Sequence, residues 1–191
     1  MSYRPYLDDP DEGLSPTTSH PAYVAAVPAS FWSEDDSDEG PAPFGSDDGN
    51  DTLRAMEEHI ADGLGDEHLP GCLADLIADW DLVPEDLWES DAEEIAAWLD
   101  SEQVHVRYLR GEIDAYIAGA LAQFKISGWI HPLLRFWAER ALTLLEHVLT
   151  PWEVDRLDAA PDVHAELLAA TRAVLEAAPD PPAEFQLEEY A

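Results

Sequence analysis

Residues 104–150 read VHVRYLRGEIDAYIAGALAQFKISGWIHPLLRFWAERALTLLEHVLT and contain the longest helical periodicity of the chain. In their first half, apolar side chains recur at steps of three and four, which places them on one face of a helix. These side chains are Val106, Leu109, Ile113, Ile117, Leu121 and Phe124. The spacing predicts a long amphipathic helix over about 104–127.

A second helix is predicted over about 132–150, where the same spacing recurs in Leu134, Trp137, Ala141, Leu144, Leu145 and Val148. Between the two, Gly128 suits the left-handed end of a helix and Pro132 suits the first turn of the next. Helices joined by so short a link pack as an antiparallel pair. The sequence therefore predicts an all-α fold, an irregular helical bundle around this central pair.

Local start signals divide the rest of an all-α domain that is expected to span residues 51–178. Asp51 or Asn50 can cap a helix, and Ser90 has the capping-box spacing to Glu93. Thr150 precedes a proline and an acid, which predicts a new helix start there. Residues 179–191 are expected to form an acidic and aromatic tail.

Residues 1–50 are rich in Asp, Glu, Pro, Ser and Gly, and this composition predicts a disordered acidic arm. An apolar island interrupts the arm at residues 22–32. It either docks on a partner as a short linear motif or folds back on its own domain. The residues of this possible docking motif are Tyr23, Val24, Val27, Phe31 and Trp32.

The charge of the chain is strongly negative and unevenly distributed. Of the net −33, residues 1–103 carry −26 and residues 151–191 carry −8, whereas residues 104–150 carry +1. Such a charge repels DNA, RNA and anionic lipid, so direct nucleic-acid or membrane binding is not expected and a basic protein partner is favoured. A single cysteine, Cys72, and the lack of an apolar leader or spanning segment favour a cytoplasmic protein.

No motif for a metal, a cofactor or a phosphate-binding loop is present in the sequence, although it contains seven histidines and 42 acids. There is no His-Glu-x-x-His, no pair of Glu-x-x-His motifs and no cysteine pair. We therefore expect no cofactor, no metal site and no enzymatic activity.

One pattern resembles a catalytic motif. Arg140 and His147 are separated by six residues, and this spacing resembles the Arg-x(4–6)-His motif of the HEPN-type all-α ribonucleases. The resemblance implies RNA cleavage by these two residues, paired with their copies across a dimer. The alternative is that Arg140 pairs with Glu139 or Glu146 while His147 lies at a helix boundary.

The acidity itself supports two functional hypotheses. In the first, carboxylates held on helices bind a basic, nucleic-acid-binding protein, and the chain acts as a DNA- or RNA-mimic inhibitor or regulator. In the second, the protein is halophilic, its acids only hydrate the surface, and it has a chaperone or assembly role. For the first hypothesis the expected partner-binding residues are Asp75, Asp79, Asp86, Trp88, Glu89, Glu93 and Glu94.

Overall fold

The computed structural model describes residues 5–33 and 41–183, and it confirms the all-α class. The α-helices are α1 (Pro21–Ala26), α2 (Asp47–Ala61), α3 (Leu69–Trp80), α4 (Ala92–Ser101), α5 (His105–Ser127), α6 (Pro132–Leu144), α7 (Thr150–Leu157) and α8 (Ala165–Ala177). Short 3₁₀ turns cover Ala29–Trp32, Asp66–His68 and Glu85–Glu89, and a π-helical turn covers Leu145–Leu149.

Helix α5 is the centre of the fold, and α1, α2, α3, α4 and α6 all pack against it. From residue 117 to residue 130 every residue is buried. The periodicity predicted a helix with one buried face, but the small residues between the large ones let neighbours approach from the other sides as well. Gly119 shows this most clearly, because a Cβ atom there would lie 2.7 Å from the Leu73 side chain of α3.

The link between α5 and α6 confirms the predicted helix ends. Gly128 adopts φ 82° and its N–H bonds to the Phe124 carbonyl at 2.9 Å, as expected for glycine at a left-handed helix end. His131 then caps α6 by accepting from the Leu133 N–H. The two helices pack against each other across this link.

An α-helix does begin at Thr150, as predicted, but it is not a separate helix with a capped end, because α6, the π turn and α7 follow one another without a break over 132–157. Pro151 has no N–H, and its ring would clash with a carbonyl of the preceding turn in a regular α-helix. The wider π turn at Leu145–Leu149 accommodates this proline. Thr150 contributes by donating its hydroxyl to the Leu145 carbonyl at 2.6 Å instead of capping a new helix.

The predicted disorder of residues 1–50 is wrong for 5–33 and 41–50; residues 1–4 and 34–40 lie outside the described residues. Tyr23, Phe31 and Phe44 are fully buried in the core, and Val27 and Trp32 pack against it. The apolar island thus folds back on its own domain. Average composition missed this result because a few aromatic side chains, each burying a large area, are sufficient to fix the segment.

A buried ion cluster also fastens the N-terminal segment to the bundle. Lys125 of α5, the one lysine of the sequence, is fully buried and lies 2.7 Å from Asp8. Its ammonium also binds Glu57 of α2. Arg54 reaches the same two carboxylates at 2.7 and 2.9 Å, and the Asp8 N–H donates to Glu57 at 2.9 Å. We call these four residues (Asp8, Arg54, Glu57 and Lys125) the buried ion cluster.

Several predicted boundaries shift by a few residues. Helix α2 begins at Asp47, capped by Ser46 rather than by Asn50 or Asp51. Asp91, not Ser90, caps α4 by accepting from the N–H groups of Glu93 and Glu94. Within the described part of the chain, no helix is long and apolar enough to cross a membrane. Most of the predicted tail, residues 184–191, lies outside that part.

Candidate protein-binding surface

Every basic side chain that the structure describes is engaged inside the molecule. Lys125 contacts both Asp8 and Glu57 in the buried ion cluster. Four arginines each pair with one carboxylate: Arg107 with Asp48, Arg110 with Asp114, Arg156 with Asp100 and Arg172 with Glu146. Arg54 shares the buried ion cluster, while Arg135 and Arg140 donate to backbone carbonyls. The excess negative charge is therefore left on the surface.

The six predicted binding carboxylates are all exposed. Asp75 and Asp79 lie one turn apart on α3, Asp86 and Glu89 lie on the Glu85–Glu89 turn, and Glu93 and Glu94 begin α4. None of the six makes an ion pair with a described residue. Glu93 and Glu94 also suit the positive N-terminal end of their helix, so part of their role is local.

Trp88, the seventh residue expected to bind a partner, does not belong to this exposed set. Its side chain is buried, and its indole N–H donates to the Glu112 carboxylate at 2.7 Å. Its ring packs on Tyr116 and Trp137, with centroids 4.6 and 6.2 Å apart. The apolar ring entered the core because Glu112 satisfies its one polar atom there.

Glu112 holds the turn beneath the acidic residues. It is buried on α5 and accepts from the Val83 N–H at 3.1 Å as well as from Trp88. Burial raises the pKa of Glu112 to about 7, although both hydrogen bonds oppose the shift. Burial also raises the pKa of Tyr116 to about 12, with smaller contributions from the charges of Glu112 and Glu85.

Arg140 of α6 ties the same turn to the bundle from the other side. Its guanidinium donates to the Trp88 carbonyl at 2.9 Å and to the Ser90 carbonyl at 3.3 Å. Glu89 lies between these two carbonyls in the chain, so its exposed carboxylate is carried on a backbone fixed at both sides. Neither the HEPN resemblance nor the alternative pairing with Glu139 or Glu146 anticipated these contacts.

His147 has a different environment from Arg140. Its side chain is 66% exposed and lies 3.3 Å from Glu146. The π turn that contains His147 changes the helical register between the two residues, so they are not joined by a regular α-helix. With Arg140 bound to two carbonyls, the geometry gives no support to a ribonuclease pair within one chain.

Next to Arg140, α6 exposes two large apolar side chains, Leu133 and Phe136, at 45% and 57%. Phe136 packs edge-on against Trp137, with ring centroids 5.1 Å apart, and Trp137 stacks on Tyr116. Phe136 lies one helical turn before Arg140, the residue through which α6 holds the turn that carries Asp86 and Glu89. We call Leu133 and Phe136 the apolar pair, and residues 85–94 the acidic segment.

A second charged region lies in an open groove of about 590 Å³ between residues 41–48, α5 and the start of α8. His164 lies 2.6 Å from Glu153 and about 3 Å from the Arg110 guanidinium, which also bonds to Asp114 at 3.1 Å. Burial raises the pKa of Asp114, and Arg110 opposes the shift.

These groups satisfy one another, because an imidazole that donates to Glu153 can accept from Arg110 on its other nitrogen. Sequence reasoning missed this region, since Arg110 and His164 are 54 residues apart and belong to no motif.

No group of three histidine, cysteine, aspartate or glutamate side chains within residues 5–33 and 41–183 is arranged to hold a metal ion. Comparisons of the chain with protein-family models, with curated protein sequences and with solved structures found no match.

Proposed function

We propose that this protein is a non-enzymatic acidic interaction protein that binds a basic protein partner through its acidic segment. The sharpest form of the proposal is that it imitates nucleic acid and so inhibits or regulates a nucleic-acid-binding protein. Neither Arg140 nor His147 has a catalytic role in this proposal.

One observation supports it above the others. The described Lys and Arg side chains bind carboxylates or carbonyls of the same chain, whereas the carboxylates of the acidic segment are exposed and form no ion pair with a described residue. Opposite charge steers association and adds specificity at an interface. The backbone beneath Glu89 is held by Arg140 and Glu112. A fixed array of carboxylates loses little conformational entropy on binding, which favours affinity.

The test measures binding of a fluorescein-labelled lysine-rich peptide by fluorescence anisotropy at about 0.1 M salt. Reversal of Asp86, Glu89, Glu93 and Glu94 to lysine should weaken binding at least tenfold, because the local field changes sign. The control reverses four exposed acids elsewhere, Asp155, Asp162, Glu176 and Asp180, and changes the net charge equally. Equal loss in both variants would refute a role for the acidic segment as a specific surface.

Salt dependence separates this proposal from halophilic adaptation, in which the acids only hydrate the surface. Helical circular dichroism and thermal melting should show a stable fold at about 0.1 M KCl, since the described cations are already paired internally. Folding that requires about 2 M KCl, where the screening length shrinks to about 3 Å or less, would favour the halophilic alternative.

A further inference from the structure

We infer that the apolar pair, Leu133 and Phe136, is the central anchor of the partner-binding surface and receives a large apolar side chain of a basic, amphipathic segment. This inference rests on the proposed function, because it assigns the contact that makes an acidic surface specific. The occupant is a protein segment with an apolar face flanked by lysine or arginine.

The exposure of the pair is the first step. Phe136 and Leu133 lie three residues apart on α6 and share one helix face, with 57% and 45% of their surface exposed. Phe136 packs on the ring of Trp137, which stacks on Tyr116, and Tyr116 in turn packs on Trp88. Because packing on the aromatic cluster already restricts the Phe136 side chain, it loses little conformational entropy when a partner binds. Interface hot spots have this character.

The charge around the pair decides the kind of occupant. On one side Arg140, one turn after Phe136, donates to the carbonyls of Trp88 and Ser90, and the exposed Glu89 lies between these two residues in the chain. On the other side Glu139 is exposed on α6, one turn after Phe136. Arg140 itself is bound to those carbonyls and presents no free cation. An apolar centre with an acidic rim matches an apolar side chain with a basic rim.

Two other occupants fit this charge poorly. A second copy of the chain would bring another net charge of −33 to the same place. The C-terminal residues 184–191 include Phe185 and Leu187, but they also include three glutamates. The basic partner is the occupant whose charge is opposite to that of the rim.

The experiment compares two labelled helical peptides that have the same lysine-rich face. One carries leucine and phenylalanine on its other face, and the other carries serine and glutamine there. The protein should bind the apolar peptide at least tenfold more tightly, and Phe136→Ser should remove most of this difference. Leu157→Ser is the matched control, because Leu157 is 56% exposed on α7, and it should leave both affinities unchanged.

Failure of this inference and failure of the proposed function give different results. Equal affinity for the two peptides would overturn the apolar anchor and leave the acidic surface in place, whereas no binding of either peptide would overturn both. Two measurements test the other occupants. A dimer in sedimentation that Phe136→Ser dissociates would overturn the basic occupant in favour of a second copy. Tighter peptide binding after truncation at Ala183 would overturn it in favour of the C-terminal residues.

Discussion

Carboxylates have opposite environments in the buried ion cluster and in the acidic segment, although both belong to the most acidic part of the chain. Asp8 and Glu57 are each contacted by two cations, and almost no water reaches them. Glu89, Glu93 and Glu94 are exposed and have no described cation as a partner. Carboxylates therefore stabilise the fold in one region and make the electrostatic potential of the surface negative in the other.

The difference shows how a chain with nine basic residues uses them. A buried carboxylate without a partner is very costly, whereas an exposed one is hydrated by water. Lys125 and Arg54 contact the two most buried of the paired carboxylates, while Arg107, Arg156 and Arg172 stay partly exposed and each pairs with one carboxylate. The carboxylates left without a described cation far outnumber the cations, and this excess is the physical basis of the proposed function.

Removing Lys125, the buried cation of the buried ion cluster, should lower the free energy of unfolding most. Lys125→Met leaves Asp8 and Glu57 with Arg54 alone, and breaking a buried pair typically costs about 3–5 kcal/mol. Urea denaturation at pH 7 should show this loss in the free energy of unfolding. Arg156→Met, which removes the exposed pair with Asp100, is the control and should change stability little. A similar small effect in both variants would mean that the cluster does not hold the N-terminal segment.

Glu112 allows the cost of a buried carboxylate without a cation to be measured as a function of pH. Its folded pKa of about 7 lies above the ordinary value of 4.5, so the folded state binds more protons than the unfolded state between these values. Stability should therefore fall as the pH rises from about 4.5 through 7, by an amount on the order of 2 kcal/mol.

Glu112→Gln should flatten this part of the profile, measured by urea denaturation from pH 4.5 to 8.5. Glu89→Gln, at an exposed position beside the same turn, should leave the slope unchanged. An unchanged slope in Glu112→Gln would contradict the assignment of this pH dependence to Glu112.

Arg140 attaches the acidic segment to α6, and its removal should lower stability less than the loss of Lys125 does. Arg140→Met frees the carbonyls of Trp88 and Ser90, which water can then solvate in part, so we expect a loss of about 1 kcal/mol. Affinity for the apolar basic peptide should fall by a larger factor, because the acidic segment is no longer attached to the helix that carries Phe136. Arg135→Met, which removes the contact with the Leu175 carbonyl, is the control for the α6 surface away from the acidic segment. Peptide affinity unchanged in Arg140→Met would show that the segment does not need this attachment.

Much of the fold could be predicted because it depends on local rules. The spacing of apolar residues predicted α5 and α6, and Gly128 predicted the end of α5. The pattern at Thr150 predicted where α7 begins but not that α7 continues from the π turn, because Thr-Pro-x-Glu looks the same after a loop and after a π turn that accommodates Pro151. The disorder prediction failed because it averaged composition over residues 1–50, whereas Tyr23, Phe31 and Phe44 each find a specific place in the core.

The candidate site could be predicted only in part. Exposure of the six carboxylates follows from their polarity, but the burial of Trp88 depends on Glu112, which lies 24 residues away on another helix. The apolar pair was not selected from the sequence, since Leu133 and Phe136 look like the rest of an apolar helix. Which apolar residue stays exposed is decided by which neighbours pack against each face.

The sequence by itself determined the all-α class, the central pair of helices and the excess of negative charge, because these depend on periodicity, helix-end residues and composition. Only the tertiary structure decided which carboxylates are neutralised and which face solvent. It placed Lys125 beside Asp8 and Glu57, and it placed Arg140 against the turn that carries Glu89. Charge pairing depends on distances between residues far apart in the chain, and such distances are set by packing.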